Sequence, residues 1–124
     1  MNEKTRIRVL IADDHAMVRE GLAGILKLHK MQIVAEARNG VEALTLYREH
    51  RPDIVLMDMR MPVMDGLTAT RALLAEFPHA RILILTNSEA EEDSLRAGAK
   101  ALVQKDAPSE ELISAIHVVH DQSA

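Results

Sequence analysis

Two hydrophobic rhythms alternate along this chain. Residues 7–12 (IRVLIA) are almost continuously apolar, as in a strand covered on both faces. Val18, Leu22, Ile25 and Leu26 then recur at helical spacing within residues 15–29. The alternation repeats. Residues 33–37 (IVAEA) predict a second strand, and Asn39-Gly40 breaks the chain before a helix running to about residue 50. Asn39 with Glu42 three positions on has the form of a capping box, and Pro52 stops the helix. Residues 53–57 (DIVLM) form the most hydrophobic strand. A loop over residues 62–66 follows, then a helix striped by Leu67, Leu74 and Phe77 and ended by Pro78. Residues 81–85 (RILIL) and 99–103 predict strands four and five, separated by a short acidic helix over residues 88–97. A last helix spans residue 108 to about 120, before a frayed DQSA end.

Five strand-then-helix units with doubly apolar strands imply a parallel sheet with helices on both faces. Right-handed crossovers make it an open, doubly wound, five-stranded sheet of the α/β class; a barrel would need eight units. The 124 residues suffice for one domain with one core. With one Tyr and one Phe that core is aliphatic, and the Met residues read as filler within it. A net charge of −4 argues against direct nucleic-acid binding by this segment. The absence of Cys excludes disulfides and thiolate metal sites, and it fits a reducing compartment. No stretch has the length of a membrane span or signal-peptide core, so a cytoplasmic location away from membranes is expected.

In an open parallel sheet, functional groups collect beyond the carboxyl ends of the strands. The sequence places Asp13 and Asp14 at the end of strand one, Asp58 after strand three, Thr86 after strand four and Lys105 after strand five. Singly, each has an ordinary reading, because Asp and Thr are frequent where helices begin and a lone lysine is usually solvated. Together they are harder to set aside. Clustered carboxylates raise one another's pKa unless a cation compensates. Hard oxygen ligands around a partly open site suit Mg²⁺, which keeps several waters and takes a few carboxylates with a phosphate. Lys105 supplies a further positive charge, and Thr86 can donate one hydrogen bond to an oxyanion. Asp58, on a rigid apolar strand, then reads as a nucleophile toward phosphorus. That transfer asks mostly for in-line positioning and charge neutralisation.

The same residues carry a family likeness. "ADDHAMVREGL" (residues 12–22), "DMRMPVMDG" from Asp58, the apolar strand into Thr86, "AGAKALVQKD" through Lys105 and "PSEELISAI" together span nearly the whole chain. The chain resembles the flavodoxin-like receiver domain of a two-component response regulator, of the NarL/FixJ (LuxR-type) branch. The resemblance implies that Asp58 accepts a phosphoryl group from a phosphohistidine on a sensor histidine kinase. It implies that Asp13, Asp14, Asp58 and the backbone carbonyl of Arg60 arrange Mg²⁺, and that Thr86 and Lys105 hold the phosphoryl oxygens. Pro62 and Gly66 would shape the adjoining loop. Such a domain is a signalling module that catalyses its own phosphorylation and dephosphorylation and switches conformation, with a homodimer as one outcome. The resemblance further implies control of transcription through a C-terminal helix-turn-helix DNA-binding domain. No such domain lies within residues 1–124, so the chain is either a piece of a longer protein or a single-domain regulator, and the first is expected.

Two features depart from the family pattern. Its members carry an aromatic ring on strand five that swings inward as the strand-four hydroxyl moves; here that position is Leu102, read as strand packing. The segment from Thr86 to Gly98 is about three residues short, which turns the following helical face by only about 60°, so the fold should stand. Ser88 and Glu91 can cap this helix and Gly98 can end it, but the apolar stripe of Ala90, Leu95 and Ala97 is thin. His15 lies beside the acidic pair and could approach the pocket, but it is expected to begin the first helix on its solvent side, and His117 and His120 to lie on the surface. Two other functions share part of the pattern. A metal-dependent phosphatase of the haloacid dehalogenase type also uses a strand-end Asp, but its motif needs a second Asp where Arg60 stands. A receiver-like interaction module that no longer switches would accommodate both Leu102 and the short helix.

Overall fold

The computed structural model describes residues 6–87 and 91–122, with the side chains of Glu91 and Glu92 left out. Strands β1 (Arg8–Ala12), β2 (Gln32–Ala37), β3 (Ile54–Asp58), β4 (Ile82–Thr86) and β5 (Ala101–Gln104) alternate with five helices. These are α1 (Ala16–Leu28), α2 (Gly40–His50), α3 (Gly66–Glu76), α4 (Glu91–Arg96) and α5 (Ser109–Asp121). All paired strands are parallel, in the order β2-β1-β3-β4-β5. This is the flavodoxin-like arrangement expected. The strand order reverses at β1, so the crevice between the carboxyl ends of β1 and β3 is where such a sheet offers a site.

Alternation along each strand divides the core in two. From β1, Val9 and Ile11 face α1 and α5, where Leu26, Leu112 and Ile116 are buried. Leu10 and Ala12 point the other way, onto Ala43 and Tyr47 of α2 and Leu73 of α3. Each fully buried Leu or Ile stabilises the fold by roughly 1.5–3 kcal/mol relative to exposure, so the sheet's carboxyl edge is a rigid platform. The one Tyr and one Phe meet on this second side. The Tyr47 and Phe77 rings lie 4.9 Å apart, with the Arg51 guanidinium 4.3 Å from the Phe77 centroid.

The helix ends largely follow the sequence signals. Asn39 caps α2 by accepting the Glu42 N–H at 2.9 Å, while the Glu42 carboxylate accepts the N–H of Arg38 rather than that of Asn39. Gly98 ends α4 in the left-handed region, at φ 104°, with its N–H on the Leu95 carbonyl. Of α4's side chains, Ser94 is buried and Leu95 is 49 % exposed; Ala97, just beyond the helix, is buried. The expected capping by Ser88 and Glu91, and the Ala90 part of the apolar stripe, lie outside the described residues and side chains.

Several boundaries differ from the hydrophobic pattern. Strands β3 and β4 each run one residue further, because the ladder continues through the polar residue: Asp58 pairs with Leu85 and Thr86 with Gln104. Asp53 sits just ahead of β3, its carboxylate accepting the Arg8 N–H at 2.9 Å. Of the DQSA end expected to fray, Asp121 belongs to α5 and Gln122 is its C-cap, while residues 123–124 lie outside the described residues. Met17 is no core residue; it is 84 % exposed on α1.

Candidate functional site

Backbone bonds set the site's positions before any side chain does. Asp13, the residue after β1, donates its N–H to the Ala37 carbonyl of β2, at 3.0 Å. Asp58 is the last residue of β3, and the next N–H, from Met59, bonds the Leu85 carbonyl of β4. Lys105 donates its N–H to the Thr86 carbonyl at 2.8 Å, which fixes the ends of β4 and β5 to each other. The carboxylates, hydroxyl and ammonium that the sequence assigned to separate strand ends therefore meet on one sheet edge.

Lys105 ties the two buried carboxylates together. Its Nζ lies 2.9 Å from Asp13 Oδ2 and 3.2 Å from Asp58 Oδ1. Asp13 and Asp58 are buried, whereas Asp14 is exposed at the rim. Burial raises the Asp58 pKa, the Asp13 charge raises it further, and Lys105 with the Arg60 backbone amide opposes both. Burial also works against the Lys105 ammonium, but its hydrogen bond to Asp13 and the charges of both aspartates outweigh that, so its pKa rises. Three carboxylates facing one ammonium leave an excess of negative charge that a divalent cation would neutralise.

Among the described residues, one group of side chains converges closely enough to hold a metal ion. It comprises Asp13, Asp14, His15 and Asp58, whose candidate ligand atoms all lie within 4.8 Å of one another. The donor set is rich in hard oxygen and open to solvent on one side, which fits a cation that retains waters. Beside it a cavity of about 270 Å³ is lined by His15, Asp58, Arg60, Thr86, Asn87 and Lys105 among others. Thr86 is buried at its wall, its hydroxyl 3.8 Å from the Met59 sulfur.

The loop after Asp58 is folded tightly onto the site. The Met64 N–H bonds the Pro62 carbonyl at 2.7 Å, a three-residue turn that holds the exposed Val63 at φ 69°. Gly66 donates its N–H to the Met59 carbonyl, and a Cβ on Gly66 would collide with the Asp58 carbonyl oxygen. Glycine is required there by close approach, not by an unusual φ.

Sequence reading underplayed two residues. His15 occupies the N-cap position of α1 and is 67 % exposed in its side chain, as expected, yet its Nδ1 lies 3.3 Å from Asp13 and 3.2 Å from Asp14. Arg19 braces the site from below, donating from Nη1 to the Asp13 backbone carbonyl while its Nε meets Glu36 at 3.1 Å. Spacing alone gave no signal for Arg19, whose partners are the Asp13 carbonyl six residues back and Glu36 of β2. Leu102 pairs with Ile84, is half-buried and packs against the α2–α3 side of the core, in keeping with strand packing. His117 is exposed and His120 lies beside Asp121; neither approaches the acidic group. Among the described residues no helix is long and apolar enough to cross a membrane.

Comparison with known proteins places this geometry. The oxygen regulatory protein NreC of Staphylococcus carnosus is 44 % identical over an alignment covering 92 % of this chain and 55 % of NreC. The chain thus spans about half the length of the curated relatives it matches. The signal receiver domain of the response regulator NarL from Mycobacterium tuberculosis is 31 % identical with a TM-score of 0.89, covering 95 % of this chain and 98 % of that one. A chain of the CheX–CheY–BeF3–Mg complex from Borrelia burgdorferi is 28 % identical with a TM-score of 0.89, covering 96 % and 94 %. Residues 9–117 match the family model described as the response regulator receiver domain. With that match running from β1 into α5 and taking in every residue of the acidic pocket, the chain belongs to the response regulator receiver domain family.

Proposed function

We propose that this receiver is phosphorylated on Asp58 by a sensor histidine kinase and relays that event through a change of conformation. The observation that carries the reading is the placement of Asp58: buried at the end of β3, 3.2 Å from Lys105, and facing a solvent-open cavity. An Asp58 carboxylate oxygen would attack phosphorus in line, forming the acyl phosphate as the phosphohistidine P–N bond breaks. Mg²⁺, held by Asp13, Asp14, Asp58 and the backbone carbonyl of Arg60, would neutralise charge on the phosphoryl oxygens. The magnesium and beryllofluoride in the Borrelia burgdorferi complex support the choice of ion and anion. Lys105 would turn from its two aspartates to the new anion, and the Thr86 hydroxyl would follow. Pro62 and Gly66 keep the loop closed against Asp58 while this happens.

The NarL/FixJ resemblance carries a further reading, a transcriptional output exercised from the cytoplasm through a C-terminal helix-turn-helix domain; a LuxR-family response regulator from Staphylococcus aureus, 28 % identical with a TM-score of 0.87, is described as DNA-binding, which supports it. Homodimerisation on phosphorylation is a natural means of relay. Leu102 favours one alternative, a receiver-like module that binds a partner without switching. Incubation with acetyl phosphate and Mg²⁺, followed by intact-mass analysis, separates these readings. One added phosphoryl group is expected on the native chain and none on Asp58→Asn; equal labelling of both would remove Asp58 from the role.

A further inference from the structure

We propose that Met59 is a site of oxidative modification, and that its sulfoxide holds the Thr86 hydroxyl away from the phosphoryl site. The inference rests on the role proposed above for Thr86. Four of the seven methionines stand within residues 57–64, across the end of β3 and its loop. Packing accounts for three of them: Met57 and Met61 are buried in the α2–α3 side of the core, and Met64 packs against it. Met59 shares that core but also reaches the site. It lines the cavity beside Asp58, at 6 % exposure, and its sulfur lies 3.8 Å from the hydroxyl of Thr86, which lines the same cavity.

A thioether is a weak hydrogen-bond acceptor, so this contact by itself restrains the hydroxyl little. Oxidation changes the acceptor. Hydrogen peroxide is the oxidant, and a cavity of about 270 Å³ admits a molecule little larger than water. The sulfur lone pair attacks one peroxide oxygen; the O–O bond breaks as the S–O bond forms, and the proton of the transferred oxygen leaves with the departing hydroxide as water. Sulfur gives up an electron pair and the peroxide takes it, leaving methionine sulfoxide. The new oxygen is polar at the edge of an apolar core and needs a donor. Lys105 already serves Asp13 and Asp58, whereas the Thr86 hydroxyl stands at the sulfur. The unbranched side chain can turn its oxygen onto that hydroxyl without moving the backbone. Thr86 then stays at the cavity wall. Asp58 can still accept a phosphoryl group, but the change of conformation that follows is lost.

The test treats the native chain and Met59→Leu with hydrogen peroxide and locates sulfoxides by fragment-ion mass spectrometry. Leucine keeps the apolar bulk and removes the oxidisable sulfur, while every other methionine remains. Hydrogen exchange of the α4 amides is then read with and without beryllofluoride, and acetyl phosphate labelling of Asp58 by intact mass. Met17, 84 % exposed, should oxidise first, and Met59 at least about tenfold faster than the fully buried Met57. Oxidation of Met59 should cut the beryllofluoride response of α4 at least about threefold while Asp58 is still labelled, and Met59→Leu should keep its response through the same treatment. Met59 as protected as Met57, a response that outlives its oxidation, or one lost equally in Met59→Leu would overturn the assignment. So would loss of labelling along with the response, since a disrupted fold needs no bond from Thr86. A native chain whose α4 ignores beryllofluoride before any oxidation would instead sink the underlying role of Thr86, and this inference with it.

Discussion

A carboxylate at the end of a buried strand is held there at a cost in stability. Burial, then the Asp13 charge, keep the Asp58 pKa above its ordinary value, so without metal the folded chain binds this proton more tightly than the unfolded chain. The sign follows: this contribution favours folding most at low pH, and declines as pH rises from the ordinary carboxylate range through the raised pKa. Asp58→Asn should flatten that slope. It should also stabilise the metal-free protein at neutral pH by roughly 0.5–2 kcal/mol, the range common to single stabilising substitutions. Urea unfolding in EDTA at acid and neutral pH checks both statements. A variant less stable than the native chain at neutral pH would mean that the Lys105 pair outweighs the desolvation of Asp58.

Among the elements, α4 is expected to be the one held least firmly. It has six residues, presents the buried Ser94 to the core beside Ala97, and leaves Leu95 half in water. A helix this short has little stability of its own. Amides of α4 should therefore exchange faster than those of β1, β3 and β4, and beryllofluoride should change their rates. Exchange as slow as the strands, and indifferent to beryllofluoride, would favour the non-switching module. Reading these elements from sequence succeeded where one signal dominated. The doubly apolar runs at Val9–Leu10–Ile11 and Ile54–Val55–Leu56–Met57 identified central strands, and Asn39 with Glu42 identified a cap. It failed by a residue at Asp58 and Thr86, because a strand's end is set by ladder partners, Leu85 and Gln104, rather than by its own hydrophobicity. The pocket's composition was legible as a set of strand ends. That His15 stands beside the acidic pair was legible as well, but its distances to Asp13 and Asp14 were not, since they depend on how the loop before α1 turns.

At the scale of the whole molecule, a metal held at this site would be coupled to stability. A cation that binds only the folded chain raises its stability by RT ln(1 + [L]/Kd), about 2.7 kcal/mol at a hundredfold excess over Kd. Saturating Mg²⁺ should accordingly raise the thermal midpoint, EDTA should reverse the gain, and Asp13→Asn should show little of it. A midpoint unmoved by Mg²⁺ would count against the site. The bridge from Lys105 to Asp13 joins residues 92 positions apart, the strand that begins the sheet and the strand that completes it. During synthesis the aspartates emerge first, while the Lys105 ammonium follows when all but the last helix has been made. A nascent chain ending before Lys105 carries the acidic cluster uncompensated, and closing the gap is a long-range event of the kind that slows folding. If Lys105 has the role proposed for it, competence to receive a signal arrives late, with the last strand.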